Sequence, residues 1–102
     1  MLMTERKPVS VGEMLREEFM EPLGLTQGQL AEAMGVQRKH VNELCTDRRS
    51  ITADTALMLA RVFGVSADFW LNLQRRNDLW DAMHSPERRQ RIERARPLRT
   101  AA

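Results

Sequence analysis

The sequence predicts an all-α domain of five helices, with a short arginine-rich helix or tail at the C-terminal end. Three observations carry this. Hydroxyl residues suited to helix N-caps recur along the chain with short gaps between them. Apolar side chains repeat at three- and four-residue intervals, and no strand-like alternation appears. One pair of short helices is separated by a glycine corner. The predicted organisation is an N-terminal arm (1–8), one helical domain (9–83) large enough to bury a modest core, and a basic tail (84–102).

The first helix opens at Ser10-Val11-Gly12-Glu13, a capping-box pattern. Val11, Met14, Leu15 and Phe19 then recur at helical spacing until Pro22 and Gly24 end the element. Thr26-Gln27-Gly28-Gln29 is a second capping box and opens the second helix. Gln37 begins the third, which runs to about Cys45. Thr52 caps a fourth, with Ala56, Leu59, Ala60 and Phe63 inward and Gly64 at its end. Ser66 caps a fifth, with Asp68 in the first turn, where the helix dipole favours an acid. That helix carries Phe69, Trp70, Leu71, Leu73, Leu79, Trp80 and Met83, too broad a set for one stripe. Part of it closes the core and the rest needs cover from elsewhere. Ser85-Pro86-Glu87 reads as an N-cap followed by proline at the first helical position, opening a short arginine-rich helix before Pro97. The last residues, Arg99 to Ala102, are expected to be disordered.

The stretch QGQLAEAMGVQRKHVNEL, residues 27–44, is the most informative. Leu30, Ala31, Met34, Gly35, Val36, Val41 and Leu44 fall where two helices meeting at a sharp corner need them. Small Ala31 permits close approach, and Gly35 takes the positive φ of the corner without steric cost. Val41 and Leu44 share one face of the second helix, leaving Arg38, Lys39, Asn42 and Glu43 outward. This is a helix-turn-helix pattern, whose second helix enters the DNA major groove. A plain helical hairpin shares the glycine and the apolar spacing but gives no reason for the polar outer face.

Arg38 and Lys39 occupy a helix first turn, where the dipole disfavours cations by about 0.3–1 kcal/mol. That arrangement makes sense if a guanine edge or phosphate waits there. Asn42 is suited to adenine or a phosphate. Glu43 is suited to accept from cytosine N4, or to repel wrong registers. Gln27 presents its backbone N–H and side chain to a phosphate, and Gln37 and His40 complete the expected DNA-binding set. Arg48 and Arg49 follow the helix and are suited to phosphate clamping; the plainer reading is solvated loop charge.

Other classes are disfavoured. No run of 18 apolar residues exists, so no membrane span is expected. Met1 to Pro8 is charged without an apolar stretch, unlike a secretory signal. The single Cys45 rules out an internal disulfide and fits a reducing cytoplasm, in association with the nucleoid. Cys45 would be reactive only with its thiolate stabilised. His40 and His84 lack the spacing and cysteine partners of a zinc site, so no metal or cofactor is expected. No phosphate loop, nucleophile elbow or carboxylate pair points to an enzyme.

Net charge is only +2, but its distribution is uneven. Residues 1–25 carry a net −2, residues 26–50 a net +1, residues 51–83 a net −1, and residues 84–102 a net +4. Such polarity suits two different partners. The acidic face of the first helix, Glu13, Glu17, Glu18 and Glu21, would complement a basic protein, or is simply solvated. The arginines of the tail assist nucleic-acid binding or form a solvated amphipathic end.

The assembled residues resemble the helix-turn-helix repressor superfamily of the phage-repressor type. PVSVGEMLREEFMEPLGLTQGQLAEAMGV and ITADTALMLARVFGVSADFWLNLQ more narrowly resemble the HigA family of antitoxins from bacterial toxin–antitoxin modules, over roughly residues 8–83. The opening GEMLREEF and the segment Phe69-Trp70-Leu71-Asn72-Leu73-Gln74 are its specific marks. QRKHVNEL shares only the general pattern, so an operator sequence does not carry over. The resemblance implies a homodimer on a palindromic operator that represses its own operon, and a partner toxin of the RelE-like ribonuclease kind. It also implies dimerisation through the fifth helix, here Trp70, Leu73 and Trp80. Recognition helices would then sit about 34 Å apart. Two other readings stand beside it: a stand-alone repressor without a toxin, and an adaptor that no longer contacts DNA.

Overall fold

A computed structural model describes residues 5–98. The expected disorder of Arg99 to Ala102 and the first four residues of the arm lie outside them. The described residues form six helices and no strand: α1 (residues 11–23), α2 (Gln27–Met34), α3 (Arg38–Cys45), α4 (Ala53–Phe63), α5 (Ala67–His84) and α6 (Pro86–Glu93).

The caps fall where the hydroxyl residues stand. Thr26 Oγ1 accepts from the Gln29 N–H at 3.1 Å, and Gln29 Oε1 accepts from the Thr26 N–H at 2.9 Å, closing the capping box of α2. Thr52, Ser66 and Ser85 accept from the backbone N–H three residues on, opening α4, α5 and α6. Gly24, Gly35 and Gly64 end α1, α2 and α4 in the left-handed region.

Helix α1 departs from expectation in three ways. It passes through Pro22 to Leu23, and its centre, Leu15–Met20, is π-helical. Bonds from i to i+5 bring residues five apart onto one face. Leu15 and Met20 are thereby both buried, and Glu17 and Glu18 stay exposed. Met20 thus joins Val11 and Leu15 in the core, with Met14 and Phe19 packed against it. The N-terminus also differs: Ser10 Oγ accepts from the Glu13 N–H, but the cap is completed by Asp47 rather than by Glu13. Asp47 Oδ1 accepts from the Gly12 N–H at 2.8 Å, and Oδ2 from the Ser10 hydroxyl at 2.7 Å.

The core gathers Val11, Leu15, Met20, Leu30, Ala31, Met34, Val41, Leu44, Cys45, Ile51, Ala56, Leu59, Trp70 and Leu73. Trp70 is fully buried, its ring 4.8 Å from Phe19 and 5.2 Å from Phe69 by centroid. Leu73 is also buried. These two were expected on a dimer surface, and the structure corrects that. Phe19, Phe63 and Phe69 surround Trp70, which is 0% exposed, and Leu73 is 6% exposed, so both are core residues of the protomer. Trp80, the third of that set, is half-buried; its ring stacks on His84 at 3.8 Å, and the Lys7 ammonium lies 5.7 Å from it.

The arm is fastened to α5. Lys7 Nζ lies 3.1 Å from Asp81 Oδ1, and Asn77 Nδ2 donates to the carbonyls of Val9 and Leu73. Gln74 also reaches from α5, accepting from the Ile51 N–H and donating to the Ile51 carbonyl, which fixes the loop before α4. Helix α6 packs on the end of α5, and every residue from 86 to 98 is exposed.

Candidate nucleic-acid interface

Helices α2 and α3 meet at Gly35, whose φ of 75° is the left-handed corner the sequence calls for. Val41, Leu44 and Cys45 turn inward and fix the roll of α3, so Arg38, Lys39 and Asn42 are presented to solvent. Gln37 is the N-cap rather than the first helical residue, and its side chain makes no capping bond. The N-terminus of α3, uncapped by a side chain, thus lies beside Arg38 and Lys39, a favourable place for an anion.

Three tethers hold α3 in place. Midway along it, Asn42 Nδ2 donates to Gln27 Oε1 at 3.2 Å, tying it to the first residue of α2. At the far end, Arg16 Nε donates to the Cys45 carbonyl at 3.0 Å, placing a cation at the negative end of the helix. At that same end, Gly12 of α1 lies directly on the last turn of α3. A Cβ at Gly12 would stand 2.5 Å from the Cys45 carbonyl oxygen and 2.8 Å from that of Leu44. Only glycine permits this approach.

Lys39 stands between two shallow clefts. One is lined by Gln27, Arg38, Lys39 and Asn42; the other by Val36, Gln37, Lys39, His40 and Arg49. The structure therefore gathers seven of the nine expected DNA-binding residues around one ridge. Glu43 joins them through Arg49, whose Nη2 and Nε donate to Glu43 Oε1 at 2.7 and 3.0 Å. The hydrogen bond from Arg49 holds the Glu43 carboxyl below the ordinary carboxylate range. Arg48 is turned toward a separate cleft with Lys7, Asp47 and the α5 residues Asn77, Asp78 and Asp81, which Arg49 also borders.

His40 is half-buried, and its Nε2 has no hydrogen-bond partner. Burial lowers its pKa, and Arg49 adds to the shift against a smaller opposing effect of Glu43. Cys45 is 1% exposed, and burial raises its thiol pKa, so it is a core residue with Sγ 3.7 Å from Met20 Sδ. Glu13, Glu17, Glu18 and Glu21 are all exposed on α1. Exposed apolar side chains toward the end of α5 are Leu79 and Met83, next to Trp80.

Sequence reasoning missed Gly12, Arg16 and Asp47. Asp47 takes a left-handed φ of 59°, which Asp tolerates better than most residues, but its bond to Gly12 had no signal in the sequence. Gly12 was visible only as a filler inside a capping pattern.

An all-helical fold with an exposed, cation-led second helix at a glycine corner defines a helix-turn-helix protein. The helix-turn-helix family model matches residues 17–70. The chain is 53% identical over 78 residues to antitoxin HigA-1 of Vibrio cholerae, covering 76% of this chain and 73% of that one. It is 43% identical over 95 residues to an HTH-type transcriptional regulator of Haemophilus influenzae, covering 93% and 89%. The structure matches Pseudomonas aeruginosa antitoxin HigA, solved with the higBA promoter, at a TM-score of 0.81 and 35% identity, covering 91% of this chain and all of that one. The chain belongs to the HigA family of helix-turn-helix antitoxins.

Proposed function

We propose that this protein binds a palindromic operator as a homodimer, represses its own operon and neutralises a RelE-like ribonuclease toxin. The observation that carries the DNA half is the ridge of Arg38, Lys39 and Asn42 on α3, with Gln27 beside it. Arg and Lys there meet guanine edges or phosphate, Asn42 reads adenine, and Gln27 contacts the backbone. The Pseudomonas relative solved with promoter DNA supports this reading. Dimerisation draws on Trp80 with Leu79 and Met83, which remain exposed or half-exposed on α5. On the toxin side, Glu13, Glu17, Glu18 and Glu21 offer a basic ribonuclease a complementary face.

Two measurements test this. Binding to duplex DNA from upstream of its own gene should weaken steeply with salt, and Lys39→Ala should lower the slope of log K against log salt by about 0.9 per protomer. Binding that ignores salt excludes the DNA reading. Recovery of the tagged protein from its host should bring a stoichiometric small ribonuclease encoded beside it. Recovery of the protein alone, with DNA binding intact, means a stand-alone repressor.

A further inference from the structure

We infer that Glu43 and Arg49 form an exchange pair that makes DNA binding sequence-dependent: Arg49 leaves Glu43 for a phosphate only where a base amine takes its place. The inference rests on the DNA-binding reading above and goes beyond it. Arg49 places both Nη2 and Nε on the single oxygen Glu43 Oε1. Glu43 is the more enclosed partner, its side chain 26% exposed against 45% for Arg49. Glu43 lies one turn beyond Lys39 on the outer side of α3, and Arg49 borders the cleft that runs along Lys39 and His40.

Any duplex offers phosphates to Arg49. Drawing Arg49 away, however, leaves the Glu43 carboxylate facing a polyanion without the guanidinium that now neutralises it, with Lys39 one helical turn away. Glu43 accepts hydrogen bonds only, so the group that replaces Arg49 must be a donor; the major groove offers the base amines cytosine N4 and adenine N6, and cytosine N4 is the usual carboxylate partner. A correct site therefore exchanges one ion pair for an Arg49–phosphate bond and a Glu43–amine bond. A wrong site keeps the pair closed and leaves that phosphate without its arginine. Glu43 is in this way a specificity-determining residue that acts through the availability of Arg49.

The test measures affinity against salt for two duplexes of equal length: the segment upstream of its own gene that the protein protects in footprinting, and a shuffled sequence. Wild type should show a salt slope steeper by about 0.9 per protomer on the protected segment, because Arg49 is released only there. In Glu43→Gln, Arg49 is free on both duplexes. The two slopes should then agree, and the ratio of affinities should fall by about five-fold or more. Arg49→Gln should reduce the slope on the protected segment alone. If Glu43→Gln changes both affinities by the same factor, or Arg49→Gln lowers both slopes equally, the exchange is overturned while DNA binding stands. If wild type binds neither duplex in a salt-dependent manner, the DNA reading itself fails. Circular dichroism of each variant establishes that the fold is retained.

Discussion

Gly12→Ala gives the sharpest test of how the reading helix is held. By helix propensity alone, alanine inside α1 should stabilise by about 1 kcal/mol. The structure predicts the reverse. The new Cβ would lie 2.5 Å from the Cys45 carbonyl oxygen, where ordinary contact begins at 3.4 Å, so α1 and α3 must separate by up to 0.9 Å. The atoms in the way are backbone, and no rotamer change relieves them. Separation stretches the 2.8 Å bond from Gly12 N to Asp47 and the 3.0 Å bond from Arg16 to Cys45. Each involves a charged group and is worth about 1.5 kcal/mol at the partly exposed end of the range. Losing both and gaining the propensity leaves a net cost of about 2 kcal/mol, or about 8–16 °C in Tm for a domain of this size. Thermal unfolding followed by circular dichroism, at fixed protein concentration, measures it. Gly28→Ala is the control: its Cβ meets only Thr26 Oγ1 at 4.0 Å, so Tm should stay level or rise by a few degrees. A Gly12→Ala protein as stable as wild type would refute the close-approach argument.

Two further outcomes follow from burial. Trp70→Ala should cost about 3–5 kcal/mol as a core truncation, whereas Trp80→Ala should alter self-association with a smaller change in Tm. A Trp70→Ala protein that melts like wild type but no longer self-associates would return Trp70 to the dimer surface. For His40, the folded-state pKa lies below the ordinary 6.5, so the unfolded chain binds the extra proton first. The stability tied to neutral His40 is complete above pH 6.5 and is lost as pH falls below it. Urea midpoints at pH 7.5 and 5.5 should therefore drop further in wild type than in His40→Gln, and equal drops would remove the assignment.

The parts of this fold legible in the sequence are those set by local chemistry. Thr26, Thr52, Ser66 and Ser85 cap helices through bonds to a backbone N–H three residues away. Gly35 announces a left-handed corner by the absence of a side chain. The reading face followed, because Val41 and Leu44 fix the roll of α3 and so fix Arg38, Lys39 and Asn42. What stayed hidden depends on distant partners. Asp47 caps the start of α1 through Gly12, 35 residues earlier, and nothing near either residue signals the meeting. Trp70 and Trp80 are equivalent as apolar side chains on α5, and only the arrival of Phe19 and Phe63 around Trp70 decides which is core. Glu43 and Arg49 read as separate DNA contacts until the chain reversal at Asp47 brings them together.

Helix α3 has eight residues, well short of the roughly 12–15 at which an isolated helix becomes even marginal in water. Its order must come from the tethers: Gln27 at its middle, Arg16 and the Gly12 contact at its C-terminal end, and the core beneath. The entropy of ordering the reading surface is thus met on folding and not again on binding. This separates two kinds of defect. Loosening α3 through Gly12 or Arg16 should lower affinity for every duplex by one factor, with the salt slope unchanged, because the phosphates neutralised in the bound state are the same. Removing Arg38 or Lys39 should change the slope itself, by about 0.9 for each phosphate no longer neutralised. A Gly12→Ala protein, assayed below its melting range, whose salt slope fell like that of Lys39→Ala would show that α1 contributes to the bound surface directly and is more than the brace beneath it.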